Sequence, residues 1–273
     1  MIIEKAYAKL NLTLNVLGKR EDGFHELESI MVPISDLYDE LIFEENDSDE
    51  IVLVDNLIED NSILKAAKAF QQKYNTKGCK IRLIKRIPLA AGLAGGSADS
   101  SATLRGMNKL FGLNIPLEEL EDIAITLGSD NVFCLYNKAA VCRGKGEKLE
   151  FIDSKFNLQI TIIKPPFGIL TKDVFAALDL GEINKNSKEL VLKALKENDI
   201  KLLEENIYND LLKPALMVEN RLSDLINLIK NSGYKCFMSG SGSALYVLGK
   251  IDIVLEKDIY FETHFIKNSI FDC

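Results

Sequence analysis

Residues 88–104 read PLAAGLAGGSADSSATL, and eleven of these seventeen are alanine, glycine or serine. A stretch with so little side chain cannot build a core of its own. It lets the backbone come close to something else. The preceding CKIRLIKRI alternates as a strand does, and after the loop Leu104, Met107 and Phe111 fall at helical spacing, with Gly112 as a stop. The order is therefore strand, small-residue loop, helix. Backbone N–H groups of such a loop, with the positive end of the helix dipole behind them, suit an anion, most commonly phosphate. Ser97 is placed to cap this helix, and Ser100 or Ser101 to offer a hydroxyl to phosphate or metal. The same composition also suits a helix packed tightly on a strand, and composition leaves both open. Two familiar phosphate loops are excluded. No lysine lies between residues 87 and 108, as a P-loop requires, and glycines at 92, 95 and 96 lack dinucleotide-fingerprint spacing.

The chain around this loop has 273 residues, 47% apolar and 27% charged, enough for two modest domains. A net charge of −8 argues against nucleic acid as a partner. Five scattered cysteines and two histidines form no zinc pattern, so reduced thiols in a cytoplasmic protein are expected. No signal peptide or membrane span is expected.

AYAKLNLTLNVL alternates strictly, which predicts a strand with Ala8, Leu10, Leu12, Leu14 and Val16 buried and Lys9, Asn11, Thr13 and Asn15 on a polar face. Asp22-Gly23 marks a turn. Strands are predicted at LESIMVPI, DELIFEE and EIVLVD, and a helix over 61–74 capped by Asn61 or Ser62. A second helix runs from Pro116 to Gly128, and two strands joined by a Gly-rich turn cover 139–152. After a strand at NLQITIIK, helices are expected at 172–178, 187–197, 199–206 and 217–231. Two strands flanking SGSG and an alternating tail strand follow. The mixture lacks a βαβ rhythm, so the class is α+β, with a domain boundary placed between residues 152 and 153.

PLAAGLAGGSADSSA resembles the central motif of the GHMP kinase superfamily. AKLNLTLNVLGKREDGFHEL, NDLLKPAL and MSGSGSALYVL resemble further motifs, and GSDNVFC and RGKGEKL resemble the region between, all in family order. The early stretch is most similar to the branch acting on a cytidine-diphosphate-linked methylerythritol in non-mevalonate isoprenoid synthesis. The resemblance implies a two-domain GHMP kinase fold. Residues 1–152 would form an N-terminal ATP-binding domain like ribosomal protein S5 domain 2, and residues 153–273 a ferredoxin-like C-terminal domain, with the active site in the cleft between them. It implies transfer of the γ-phosphoryl of ATP, accompanied by Mg²⁺, to the tertiary 2-hydroxyl of that substrate. Such a reaction depends mainly on positioning and charge stabilisation.

Carried over by position, Asp130 would take or orient the hydroxyl proton, and Lys9 would hold Asp130 ionised. Pro88, Leu89, Ala90, Ala91, Gly92, Leu93, Ala94, Gly95, Gly96, Ser97 and Ala98 would form the ATP loop, and Asn61 and Ser62 would border adenine. Asn11, Phe24, His25, Thr171, Phe175, Ser239, Gly240 and Ser241 would contact substrate, with Phe24 and His25 on one side of the base and Phe175 facing them. Without the resemblance, Lys9 reads as a solvated strand lysine, Asp130 as a loop or cap carboxylate, Phe24 and Phe175 as core, and 239–242 as a hairpin turn. The sequence departs from the family at Phe24, where tyrosine is common, at Asp130-Asn131-Val132, and at Ala90 and Ala94, where glycine is common. An intact loop then requires ordinary dihedrals at both alanines. No metal ligand is identified, and a monomer or weak homodimer is expected. The alternatives are a sibling kinase for homoserine or a mevalonate-type alcohol, and a non-catalytic nucleotide-binding regulator on the same scaffold.

Overall fold

The alternation at the N-terminus forms the strand it predicts, β1 (Ile2–Lys19), yet residues 8–16 are buried on both faces. Period two reports that side chains alternate, not that the polar row meets water. The computed structural model describes residues 1–54, 62–182 and 188–271. Asn61, the first residue of the helix predicted from 187, and Cys273 lie outside them.

After the turn at Asp22-Gly23 comes β2 (His25–Glu45), then β3 (Val52–Val54), α1 (Ser62–Tyr74), β4 (Cys79–Ile84) and α2 (Gly95–Leu110). Next are α3 (Leu117–Leu127), α4 (Asn131–Tyr136), the hairpin of β5 (Ala140–Gly144) and β6 (Lys148–Phe151), and β7 (Asn157–Lys164). The rest is α5 (Thr171–Ala176), α6 (Lys188–Glu197), α7 (Ile200–Asn206), β8 (Tyr208–Asn209), α8 (Leu212–Val218), α9 (Arg221–Asn231), β9 (Phe237–Met238), β10 (Leu245–Leu248) and β11 (Tyr260–Lys267).

Three expectations are corrected. The strands predicted at 27–34 and 39–45 are one continuous strand, β2. Its partner changes along its length: β5 beside residues 27–31, Ile266 of β11 opposite Ile34, and β4 beside residues 40–45. Pro33, with no N–H to donate, falls where one partner gives way to the next. The helix predicted over 217–231 is two, α8 and α9. Glu219 is extended between them, and its carboxylate accepts from the backbone N–H of Arg221 and pairs with that guanidinium, starting a new helix. Helix α4 was not expected, because six residues are too few to show a period.

The chain packs as two compact units. One comprises Met1–Ala8, Leu37–Ile87 and Ala94–Asn137. In it β4 pairs parallel with β3 and antiparallel with the second half of β2. Its helices bury Phe70 of α1, Leu104 and Met107 of α2, and Leu120 of α3. The other comprises Lys9–Asp36, Pro88–Leu93 and Lys138–Cys273. There β7 lies between β11 and β10, β10 also pairs with β9, and β1 pairs parallel with β8. Its core joins Leu14, Val16, Ile163, Leu222, Ile229 and Val247. Cys79 and Cys236 are free thiols, and burial pushes both up to about 11, far from reactive thiolate.

Candidate active site

Lys9 is only 3% exposed, which removes the solvated-lysine reading. Burying an ammonium is costly unless its protons are accepted. Its Nζ donates to Asn11 Oδ1 (2.6 Å) and to the carbonyl of Gly92 (3.0 Å). Asn11 donates in turn to Ser29 Oγ at 2.8 Å, and Ser29 donates to the carbonyl of Thr13 at 2.5 Å. The Asn11 carbonyl accepts from the hydroxyl of the fully buried Tyr246 at 2.9 Å. Lys9, Asn11 and Thr13 of the polar row of β1 thus belong to a buried hydrogen-bonded ladder, and Lys9 at one end of it reaches the small-residue loop.

That loop corrects the expectation for its alanines. Ala90 (φ 48°) and Ala94 (φ 58°) are both left-handed, as is Gly92 (φ 72°). For alanine this conformation costs roughly 1–2 kcal/mol each, so the surroundings must hold the loop. The segment 88–93 is held at several points. The carbonyl of Gly92 accepts from Ser239 Oγ (3.0 Å) as well as from Lys9. Backbone N–H groups of Ser243 and Ala244 donate to the carbonyls of Ala90 and Ala91, at 3.4 and 3.1 Å. Gly168 leaves room for Ala90, whose methyl lies 2.5 Å from where a Cβ on Gly168 would stand. Ala91 and Leu93 are buried and Leu89 is exposed, with Pro88 between these extremes.

Residues 239–242 are a turn between β9 and β10 that also packs onto 90–92. The hairpin-turn reading of SGSG is therefore correct. Ser241 Oγ bonds Thr171 Oγ1 at 2.8 Å, and the Gly240 carbonyl accepts from Asn209 Nδ2 at 2.8 Å. Asn209 also donates to the Met238 carbonyl at 2.9 Å, so one amide holds the first half of the turn. Its signal was the asparagine of the quoted NDLLKPAL.

Helix α2 starts at Gly95 with Ala94 as its cap residue, so Ser97 stands inside the first turn and is not the cap. The left-handed turn at Ala94 aims its carbonyl at the N–H of Ala98 (2.8 Å), which starts the helix three residues earlier than a Ser97 cap would. The N–H groups of Gly95, Gly96 and Ser97 belong to the first turn, where no intrahelical acceptor exists. Ser100 and Ser101 direct their hydroxyls to backbone carbonyls. Ser100 Oγ donates to the carbonyls of Gly96 (3.0 Å) and of Ser62 (3.3 Å), the first residue of α1. Ser101 Oγ donates to the carbonyl of Asn131 at 2.7 Å. Asp130 is the cap residue of α4, though its carboxylate makes no capping bond to that helix.

A buried charge cluster beside α2 went unread. Lys85 Nζ pairs with Asp39 (2.6 Å) and Asp99 (2.7 Å), and lies 3.0 Å from where a Cβ on Gly95 would stand. Asp39 also accepts from the N–H groups of Arg86 (2.5 Å) and Ile87 (2.8 Å). The available signal was alternation: Lys85 follows Cys79, Ile81 and Leu83 on the inward row of β4. Burial lowers Lys85, but Asp99 and Asp39 outweigh it and leave its pKa raised. Asp99, 3% exposed, is pushed up to about 8 by burial, with Lys85 opposing and Asp39 adding to the rise. A carboxyl raised from 3.8 on folding binds an extra proton in the native state, so stability falls as pH rises through that window. Thermal unfolding of Asp99→Asn is therefore expected to lose this decline. Even one pKa unit is worth about 1.4 kcal/mol, or a few degrees in Tm. Equal Tm slopes for both proteins between about pH 5 and 8.5 would contradict the assignment.

The aromatic group differs from expectation. His25 stacks on Phe175 itself, centroids 4.9 Å apart and planes 21° from parallel, so no base fits between these two rings as they stand. Phe24 is 54% exposed and not core, and Lys145 Nζ lies 4.7 Å from its ring centre. Lys145, between the glycines of RGKGEKL, was not singled out from the sequence. Burial first, and Lys19 second, lower the pKa of His25, which keeps it neutral at pH 7. Thr171 is the first residue of α5 and Phe175 stands near its end.

Comparison with known proteins matches the models described as GHMP kinases N terminal domain, over residues 61–138, and GHMP kinases C terminal, over residues 191–257. A relative from Staphylococcus haemolyticus, provisionally named 4-diphosphocytidyl-2-C-methyl-D-erythritol kinase, is 41% identical over 264 residues, covering 92% of this chain and 91% of its own. A relative of the same provisional name from Staphylococcus saprophyticus is 42% identical over 259 residues, with the same coverage. The crystal structure of 4-(cytidine 5'-diphospho)-2C-methyl-D-erythritol kinase superposes with a TM-score of 0.81 at 28% identity, over 97% of this chain and 99% of the solved one. Homoserine kinase from Cytophaga hutchinsonii shares the fold, at a TM-score of 0.73 and 16% identity over 98% of this chain and 96% of its own. The mixed α+β chain belongs to the GHMP kinases.

Proposed function

We infer that this chain transfers the γ-phosphoryl of ATP to the tertiary 2-hydroxyl of 4-diphosphocytidyl-2-C-methyl-D-erythritol, in non-mevalonate isoprenoid precursor synthesis. The observation that carries this reading is the buried Lys9 ammonium bonded to the carbonyl of Gly92, in the middle of the small-residue loop. A buried cation tied to a phosphate-type loop suits an electrostatic role in phosphoryl transfer.

In this reading residues 88–98 hold the triphosphate, through loop N–H groups and the first turn of α2. Ser62, with Asn61, borders the adenine. Asp130 orients the substrate hydroxyl and takes its proton as oxygen attacks the γ-phosphorus and ADP leaves. Lys9 favours the ionised states around that hydroxyl. Asn11 holds the Lys9 ammonium, and Ser239, Gly240 and Ser241 back the loop on the substrate side. Mg²⁺ accompanies ATP, held mainly by phosphate oxygens and water, since this ion needs only one or two protein ligands. Among the described residues no group of three or more His, Cys, Asp or Glu side chains could hold a metal.

The cytidine end meets Phe24, His25, Phe175 and Thr171. The base takes its place by separating the His25 and Phe175 rings or by stacking on an outer face. The two family models fall on either side of the boundary between residues 152 and 153, while residues 9–36, 88–93 and 138–152 pack in the same compact unit as the chain beyond that boundary. No helix among the described residues is long and apolar enough to cross a membrane. The protein acts in the cytoplasm, as a monomer or weak homodimer, without a nucleic-acid partner.

The test is ADP release by the purified protein with ATP and the cytidine-linked alcohol. Release that depends on this alcohol supports the reading. Background release with it, alongside phosphorylation of homoserine or mevalonate, overturns the substrate assignment. Phe175→Ala adds a second check. Loss of about 1–3 kcal/mol of base stacking raises KM for the cytidine substrate roughly 5- to 150-fold with kcat little changed. A substrate without a base would show no such shift.

A further inference from the structure

Asp130 opens a helix too short to place itself. An isolated helix of six residues is unstable in water, so contacts from elsewhere must set its position. Those contacts come from α3, where Tyr136 of α4 donates to Glu121, and from one face of α2. Ser97, Ser101 and Arg105 stand four residues apart and so project from the same side. Near the start of α4, Ser101 Oγ donates to the Asn131 carbonyl at 2.7 Å and Asn131 Nδ2 donates to the Ser97 carbonyl at 3.5 Å. At the far end, Arg105 Nη1 donates to the carbonyls of Cys134 (2.7 Å) and Leu135 (3.1 Å), groups that a helix C-terminus leaves without intrahelical donors.

Arg105 is itself immobilised. It is 5% exposed, its Nε donates to Glu4 Oε1 at 2.7 Å, and its Nη2 donates to the Lys5 carbonyl at 2.8 Å. Glu4, 4% exposed, is also paired with Lys109 at 2.6 Å. A planar guanidinium can serve a carboxylate and three carbonyls at once, which a single ammonium cannot. Asn131 has its own share in this arrangement. Its side-chain amide and its backbone carbonyl both meet α2.

We propose that Arg105 is a positioning residue for phosphoryl transfer, gripping the C-terminal carbonyls of α4 so that Asp130 at the other end is held in register with α2. The proposal rests on the reading that Asp130 acts at the substrate hydroxyl. Helix α2, whose first turn serves the phosphates in that reading, then also sets the position of the residue that handles the proton. An error of about 1 Å in such a group costs roughly 10²-fold in rate.

The experiment is a kinetic double-mutant cycle of Arg105→Lys with Asp130→Asn, with Tm measured for each protein. Arg105→Lys keeps the charge opposite Glu4 but cannot keep every bond to the carbonyls. The expected result is a kcat at least about tenfold lower with KM values within about twofold, and no further loss when Arg105→Lys is added to Asp130→Asn. A purely structural role predicts equal losses in both backgrounds, and that result overturns the proposal, as does wild-type kcat in folded Arg105→Lys. Should Arg105→Lys not fold, Ser101→Ala cuts the tie at the other end of α4, and the same comparisons decide. Wild-type turnover in Asp130→Asn alone removes the catalytic reading of Asp130, and this proposal with it. A fall in Asp130→Asn with independent effects in the double mutant removes only this proposal.

Discussion

Asparagine at position 130 is expected to lower kcat by two orders of magnitude or more, with KM for both substrates little changed. A positioned acid–base group contributes about 10²–10⁴ to a rate, and an amide cannot take the hydroxyl proton. The substitution is well suited to the question because it spares the fold. Residue 130 is the cap residue of α4, and asparagine, of nearly the same size and shape, is as good a cap residue as aspartate. Tm is therefore expected to stay close to wild type. Measurement of ADP release at saturating substrates decides it. Wild-type turnover would take Asp130 out of the mechanism.

The second large effect is expected from Gly92→Ala. A Cβ at this position would stand 2.1 Å from the carbonyl oxygen of Ser239 and 3.1 Å from the amide nitrogen of Gly242, both backbone atoms without a rotamer to change. The added left-handed strain costs about 1–2 kcal/mol and the overlap a further 1–3 kcal/mol. To relieve both, the loop must withdraw from the 239–242 turn, which takes the Gly92 carbonyl from Lys9 and Ser239. Displacement of that order is expected to lower kcat/KM for ATP about 10²-fold and Tm by several degrees. Steady-state kinetics in ATP with a thermal melt test both parts. Unchanged kcat/KM would show that the loop's closeness to residue 239 has no part in nucleotide handling. The contrast with Ala90 and Ala94 is informative. Those two tolerate a methyl in a left-handed conformation because space is made for it, at Ala90 by Gly168.

Much of the candidate site was legible through order and spacing. Lys9, the 88–98 loop, Asp130 and the 239–241 turn each stand in a quoted motif, and the loop's passage from strand to helix followed from periodicity. Other parts were not legible, for identifiable reasons. Lys85 lies 46 residues from Asp39 and 14 from Asp99, and no local pattern links them. Arg105 looks like an ordinary helix arginine until α4 is seen against it. His25 and Phe175 were expected on opposite sides of a base, and their rings touch instead.

By itself the sequence determined most of where the chain is extended or helical, though not α4 or the break between α8 and α9, because dihedral preference, side-chain period and the chemistry of Gly and Pro are local properties. It also determined the family, through motifs kept in order. Only the tertiary structure decided that the polar row of β1 is buried, that two alanines adopt glycine's conformation, and which side chains brace α4. An alternating strand reads the same whether its polar face meets water or another part of the chain. The free energy of a lysine or a left-handed alanine depends on distant residues brought to it, and neighbours along the sequence carry no record of them.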